Sequence, residues 1–332
     1  LKKSILVTGA GGFIGRHLCH DLAAEGHSVI GIDVHYPPEE LENSSSDYRA
    51  VTGDFRNRVL MNSLLDGIDC ILHLASAHLE ITLSEAEYQD INVISLEPLL
   101  ELARQNGVKR FVHVSSAGVY GNLESCPADE QTPCNPQNTY GKSKLAGEIE
   151  VNKYFNETNF PIIILRPAWV YGPGCSRMLR IYRTLAKNHF VMVGNGSNLR
   201  HPLFIKDMLA AFRLVLESDR AVGETILIGG EEAISTRELL DSFCRVLNLP
   251  EPRFRLPMKL GELIAAVFEA AFTLIGKEPP VSRRSLEFFN TTNAFDISKA
   301  RRLLGFRPTF SLEEGLKESR VWLENQYAGK PL

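Results

Sequence analysis

The sequence predicts an α/β fold, a doubly wound parallel sheet followed by a smaller, mainly helical C-terminal region. Three observations carry that expectation. Short β-branched runs alternate with helical periodicity from Ser4 to Pro167. A glycine cluster, Gly9-Ala10-Gly11-Gly12-Phe13-Ile14-Gly15, stands between the first strand and the first helix. Beyond Tyr171 the alternation gives way to helices. Residues 1–170 then form a dinucleotide-binding unit, to which the chain returns at about 203–230, and 171–332 a discontinuous substrate-binding unit.

The bulk properties narrow the class. A chain of 332 residues, 44% hydrophobic and 23% charged, suits one large globular domain or two that share an interface. A net charge of -4 gives no reason to expect nucleic acid or an anionic membrane as the main partner. The six cysteines (Cys19, Cys70, Cys126, Cys134, Cys175, Cys244) lack metal-ligand spacing, so no metal is expected and they read as reduced thiols of a cytoplasmic protein. With the first strand starting near Ser4, no signal peptide is expected.

The elements follow in order. The run from Ser4 to Thr8 is apolar and ends at glycine, hence a buried strand, and helical periodicity runs over 13–24. Gly9 permits the tight turn, Gly12 lets a pyrophosphate approach the backbone, and Gly15 lets the helix pack on the sheet. Phe13 and Ile14 open that helix, whose N-terminus faces the phosphates. A second strand ends at Asp33, about 20 residues beyond the glycines. A carboxylate there accepts both ribose hydroxyls and repels a 2′-phosphate, which predicts NAD rather than NADP. Residues 36–47 read as a surface loop, and a strand follows near 48–52. Asp54 either caps the next helix or receives the adenine amino group. The strand over 69–76 runs into small residues, so Leu74 and Ala75 lie where a ligand comes close, while His73 reads as a satisfied core residue.

Residues 84–105 read as one long helix ending at Gly107. The strand over 110–116 puts Ser115 and Ser116 at its carboxyl end, where open α/β sheets bind ligands. After a proline-studded loop, Asn138 or Thr139 caps a further helix, and a sixth strand is stopped by Pro167. In the second region we expect helices over 178–186, 207–216, 236–247, 260–275, 298–304 and 312–324, with strands near 190–193 and 225–228. The apolar 260–275 helix is too short to span a bilayer and carries Glu262 and Glu269. A packed helix, a lid over an apolar substrate and a membrane-surface contact all remain open for it.

Tyr140-Gly141-Lys142-Ser143-Lys144 carries the chemistry. On a helix Tyr140 and Lys144 share one face. An ammonium roughly 4 Å from a phenol, at an effective dielectric near 20, favours the phenolate by up to about 4 kcal/mol. That is at most about three pK units, enough to bring a phenol toward use as a base.

In order, Thr8 to Gly15, Ser115-Ser116-Ala117-Gly118-Val119-Tyr120-Gly121, the Tyr140 to Lys144 segment and Leu165-Arg166-Pro167 resemble the extended short-chain dehydrogenase/reductases, the NAD-dependent epimerase/dehydratase family. Lys299-Ala300 and Leu304-Gly305-Phe306-Arg307-Pro308 look like that family's closing signature. The resemblance implies a Rossmann-type domain with Tyr140 as catalytic base and Lys144 as its partner, also holding the nicotinamide ribose. It implies Ser116 as the hydroxyl that orients the reacting oxygen. Residues 194–207, with Arg200, are similar to the segment by which nucleotide-sugar epimerases hold a diphosphate, and no Asp-Glu pair for dehydration precedes Val119. Trp169 stands where such epimerases have Asn, and His201 where they have an acidic residue. The apolar helix and Pro279-Pro280-Val281-Ser282-Arg283 look more like the 3β-hydroxysteroid dehydrogenase branch.

A nucleotide-sugar 4-epimerase is therefore the first expectation, and a dehydrogenase or β-keto reductase on an apolar substrate the second. A non-catalytic NAD-binding regulator is the third. Arg166, Arg283 and Arg284 are open to anion-binding or structural roles, with Arg283 a candidate substrate contact. By resemblance the chain forms a homodimer through the helices over 84–105 and 140–155.

Overall fold

Seven parallel strands form the central sheet of the computed structural model, which describes residues 2–42, 47–78, 83–274 and 283–328. They are β1 (Ser4–Thr8), β2 (Ser28–Asp33), β3 (Tyr48–Thr52), β4 (Cys70–His73), β5 (Arg110–Val114), β6 (Ile162–Pro167) and β7 (Thr225–Ile228). Their spatial order is β7-β6-β5-β4-β1-β2-β3, so the winding reverses between β1 and β4. Ligands in such sheets bind outside the carboxyl ends of the strands at that reversal.

Side-chain alternation builds two cores from one sheet. Ile5, Val7, Leu72, Val112, Val114, Ile163, Leu165, Ile226 and Ile228 point to one face, under the helices Phe13–Ala24 and Ile205–Glu217. Leu6, Ile71, Phe111, Ile162 and Ile164 point to the other, under Arg58–Leu64, Leu96–Gln105 and Thr139–Thr158. Burial on both faces explains why these strands read as continuous apolar runs. This is the Rossmann-like sheet that the sequence predicts.

A third core belongs to the mainly helical C-terminal region. The helices Ser176–Ala186, Thr236–Leu247 and Leu312–Ala328 gather around Tyr182, Leu185, Leu240, Phe243, Leu316 and Leu323. Short pairings tie the region together: Trp169–Tyr171 with Pro202–Phe204, and Val191–Val193 with Phe254–Leu256.

Several elements differ from expectation. The helix over 84–105 is broken into Glu85–Gln89, a π-turn at Asp90–Ile94, and Leu96–Gln105. Pro98 lacks the N–H that would bond Ile94, and its ring crowds that carbonyl, so the regular ladder stops there. The loop over 36–47 contains the short helix Pro38–Glu42. Strands Trp169–Tyr171 and Phe254–Leu256 have no counterpart in the sequence reading. Residues 279–282 and the end of the 260–275 segment lie outside the described residues.

Candidate active site

The glycine turn is shaped by its own packing. Gly9 has φ +72°, and a Cβ there would lie 2.6 Å from the Ala75 nitrogen and 2.8 Å from the Leu74 carbonyl carbon. Leu74 and Ala75 are thus pressed against the turn at the end of β4. A Cβ on Gly15 would lie 2.1 Å from the Gly9 carbonyl oxygen, so the helix could not pack so closely with any larger residue. On Gly12 it would meet only that same oxygen, at 3.2 Å, leaving the space in front of the turn open. Gly12 is also the N-cap of the helix Phe13–Ala24, which has no side-chain cap and no acidic residue in its first turn. Open space before unshielded N–H groups fits a pyrophosphate.

Asp33 ends β2 beside this turn. One carboxylate oxygen accepts the Gly11 N–H at 3.0 Å and the other accepts the His35 N–H at 3.1 Å. Asp54 does not cap the following helix; Asn57 does, accepting from the Leu60 N–H at 3.1 Å. Instead Asp54 pairs with Arg56, which holds its carboxyl below the usual range through hydrogen bonds. Arg56 in turn reaches Asp90 on the π-turn.

The catalytic candidates come from one strand end and one helix. Asn138 caps the helix Thr139–Thr158 by accepting the Gly141 N–H at 2.9 Å, which fixes the first turn carrying Tyr140. Ser116 follows β5 and caps a short 3-10 turn, its Oγ accepting the Gly118 N–H at 3.0 Å. A Cβ on Gly118 would lie 3.2 Å from Ser116 Oγ and 3.9 Å from Tyr140 Cε1, which places those two side chains against one glycine. Ser115 Oγ, one residue earlier, is buried and has no partner among the described residues. Lys144 is buried at 3% exposure and donates from Nζ to the Val114 carbonyl at 2.7 Å.

The electrostatics run opposite to the expectation from spacing. Burial pushes the Tyr140 phenol up to about 12, opposed by its hydrogen bond with Ser116 and by the charge of Arg177. Burial pushes Lys144 down to about 8, opposed by Glu148. The Lys144 ammonium is held by the Val114 carbonyl, and the cation that favours the phenolate is Arg177.

Positioning residues without a motif complete the site. Asn92, on the π-turn, accepts the Ala77 N–H at 2.8 Å and donates to the Ala77 carbonyl at 3.1 Å and to Ser143 Oγ at 2.9 Å. It locks the segment after β4 to the helix of Tyr140. The His78 ring, next in that segment, lies 4.9 Å from the Tyr140 ring. His73 is a core residue, Nδ1 sharing a 2.8 Å hydrogen bond with Thr8 Oγ1.

The remaining candidates are divided. Pro167 ends β6 beside Ile228 of β7. Arg166 is structural: its Nε donates to Glu148 at 3.0 Å and its NH1 to the Tyr120 hydroxyl at 2.7 Å. Trp169 lies 5.9 Å from Tyr171, and its buried Nε1 has no partner among the described residues. Arg200 is buried over the Phe288 ring at 5.0 Å, donates to the Glu287 carbonyl at 2.8 Å, and is pushed down to about 10 by burial and by Arg177. Arg177 therefore acts on Tyr140 and on Arg200, linking the two regions. His201 bridges main chain, with the Phe295 N–H 3.1 Å from Nδ1 and the Gly230 carbonyl 2.9 Å from Nε2. Arg283 opens the helix Arg283–Asn290, but its side chain, like that of Arg284, lies outside the described residues. A cavity of about 610 Å³ lies beside the 194–196 turn, lined by Gly194, Asn195, Arg255, Leu256, Pro257, Met258 and Phe289. A second hollow, at Lys2, Glu25 and Arg213, touches none of these residues.

A reversed-winding sheet with a glycine turn, an acid at the end of β2 and a Tyr-Lys helix defines a dinucleotide-dependent class of protein. The chain belongs to the NAD dependent epimerase/dehydratase family, whose model matches residues 5–229. It is 31% identical to an uncharacterized UDP-glucose epimerase of Bacillus subtilis, over 98% of this chain and 99% of that protein. It is 30% identical to the UDP-glucose 4-epimerase of Mycolicibacterium smegmatis, over 97% and 98%. Among solved structures, the UDP-glucuronic acid 4-epimerase of Bacillus cereus in complex with NAD superposes with a TM-score of 0.80 at 27% identity, over 98% of this chain and 99% of that one.

Proposed function

We propose that the chain is an NAD-dependent 4-epimerase of a nucleotide sugar, most simply a UDP-sugar, working through a transient keto sugar. The observation that carries the reading is the convergence of Ser116, Tyr140 and Lys144 at the carboxyl end of β5. The UDP-sugar epimerases to which the chain is similar support the substrate class.

The residues in place fit the cofactor. The N–H groups beyond Gly12, at Phe13 and Ile14, would hold the pyrophosphate in the open space in front of Gly12. Asp33 would accept the adenosine ribose hydroxyls and Asp54 the adenine amino group. Leu74, Ala75, Ser115 and Pro167 would line the nicotinamide side, and Lys144 would hold its ribose. When bound, NAD supplies a reversible hydride acceptor and a positive ring whose field favours the phenolate.

The chain's own residues then move the proton. Tyr140 Oη takes the proton of the sugar C4 hydroxyl as the C4–H bond breaks and the C4 carbonyl forms. Ser116 Oγ donates to the same oxygen and fixes its position. The ketone turns its other face, and Tyr140 returns the proton as the C–H bond reforms with inverted configuration. Arg200, assisted by Arg177, neutralises the diphosphate, and Trp169 Nε1 offers a donor to the nucleotide or sugar. Arg283 remains a proposed substrate contact. We place this enzyme in the cytoplasm, in keeping with six free cysteines. It would be a homodimer through the helices on which Ile94 and Ile149 are exposed at 64% and 59%.

A second reading, a dehydrogenase or β-keto reductase on an apolar substrate, is favoured by the exposed Leu260, Leu263 and Val267. One experiment separates them. The protein is incubated with NAD and UDP-glucose, UDP-glucuronic acid, a 3β-hydroxysteroid or a β-hydroxy acid, following product and reduced-nicotinamide absorbance together. A C4 epimer without net NADH is the expected result. Net NADH with a steroid or acid would establish the second reading, and turnover of none would leave an NAD-binding regulator.

A further inference from the structure

The helix Met258–Leu274 is fastened by its small residues and turns large apolar ones outward. Gly261 and Ala265 are buried; a Cβ on Gly261 would lie 2.6 Å from Val193 Cγ1, and Ala265 packs with Val193 and Leu286. On the outer side Leu260, Leu263 and Val267 are 41%, 62% and 59% exposed. Their spacing of three and four residues makes one continuous stripe. Phe268, further round, stacks on Phe272 at 5.9 Å. A folded protein rarely leaves such a stripe to water without use.

Charge identifies what covers it. Lys259 is exposed one turn before Leu263 and so sits beside the stripe, and Arg253 and Arg255 are exposed just before the helix. The exposed acids nearby are Glu251 and Glu262, the latter about 100° round the helix from Leu263. Apolar residues flanked at one end by three cations match the acyl and headgroup layers of an anionic membrane. Among the described residues no helix is long and apolar enough to cross a bilayer, so the contact is a surface one.

We infer that this helix docks the protein on an anionic lipid bilayer, with Leu260, Leu263 and Val267 in the acyl boundary and Arg253, Arg255 and Lys259 among the headgroups. Arg255 and Met258 also line the cavity beside Gly194, so docking brings that cavity to headgroup level. The inference holds whichever alcohol the active site takes.

The test is sedimentation of the full chain with phosphatidylcholine vesicles, with and without phosphatidylglycerol. Binding at least about tenfold stronger to the anionic vesicles, and weakened by salt, is expected. The pair Leu263→Glu with Val267→Glu should abolish it, and Arg253→Glu with Lys259→Glu should remove the headgroup preference, both with unchanged melting temperature and NAD affinity. Failure to bind either vesicle, or binding indifferent to both pairs, overturns the inference. So does self-association, or uptake of a soluble apolar substrate, that the Leu263/Val267 pair abolishes while vesicle binding persists.

Discussion

At the scale of single residues, burial sets the acid–base character of the site. Removing a phenol from water disfavours its anion, which is why Tyr140 stands near 12, and the same desolvation lowers Lys144 to about 8. Spacing alone placed the two side chains on one helical face, but it could not show that the Val114 carbonyl would compete for the ammonium. Asp33 is the residue whose role separates binding from chemistry. Its carboxylate already accepts the Gly11 and His35 N–H groups, and two ribose hydroxyls would add charged hydrogen bonds of about 1.5–3 kcal/mol in all. Asp33→Ala is therefore expected to weaken NAD about 10- to 100-fold by calorimetry while narrowing the preference over NADP. Unchanged NAD affinity would remove Asp33 from the cofactor site.

At the scale of elements, the π-turn at Asp90–Ile94 is the joint that positions the site. Asn92 satisfies both polar groups of the Ala77 backbone and grips Ser143, while Gly147 packs so closely that a Cβ there would lie 2.5 Å from the Asn92 carbonyl oxygen. Asn92→Ala leaves the buried Ala77 N–H and carbonyl unpaired. Each is worth roughly 1–3 kcal/mol, so chemical denaturation should show a loss of about 2–6 kcal/mol, with turnover falling as His78 and Tyr140 lose register. A loss below about half a kcal/mol would mean that water replaces Asn92 without consequence. The six strands before Pro167 were legible because each is a short apolar run bounded by turn residues. The break in the 84–105 helix was readable in principle from Pro98. Phe254–Leu256 was not, because its partner, Val191–Val193, lies some sixty residues away and nothing local marks the pairing. The site divides the same way: Tyr140 and Lys144 announce themselves by spacing, whereas Asn92, Arg177 and His78 arrive from separate segments and carry no motif.

At the scale of the whole molecule, the sheet that gathers these segments also fixes how the fold responds to acid. His73 and His113 lie side by side inside it, rings 5.7 Å apart; burial pushes His73 from 6.5 down to about 3, and His113 also far below its ordinary value. Both stay neutral in the folded state while the unfolded chain binds protons below about 6.5, so stability present at neutral pH is lost on acidification. Each contributes about 1.4 kcal/mol per pH unit in that window, so roughly 2–4 kcal/mol should disappear between pH 7 and 5. Neither ring nitrogen of His113 has a partner among the described residues, so His113→Phe should flatten the slope by about half. A stability curve flat from pH 7 to 5 would contradict this. In the proposed function, the assembled ends of β1, β4 and β5 bind NAD and bring a substrate hydroxyl to Tyr140, the proposed base. Its most direct test is Tyr140→Phe, with NAD affinity and turnover of a UDP-sugar measured on one preparation. Turnover reduced by at least about a hundredfold with NAD affinity unchanged is the predicted result. Turnover that persists at the wild-type rate would contradict it.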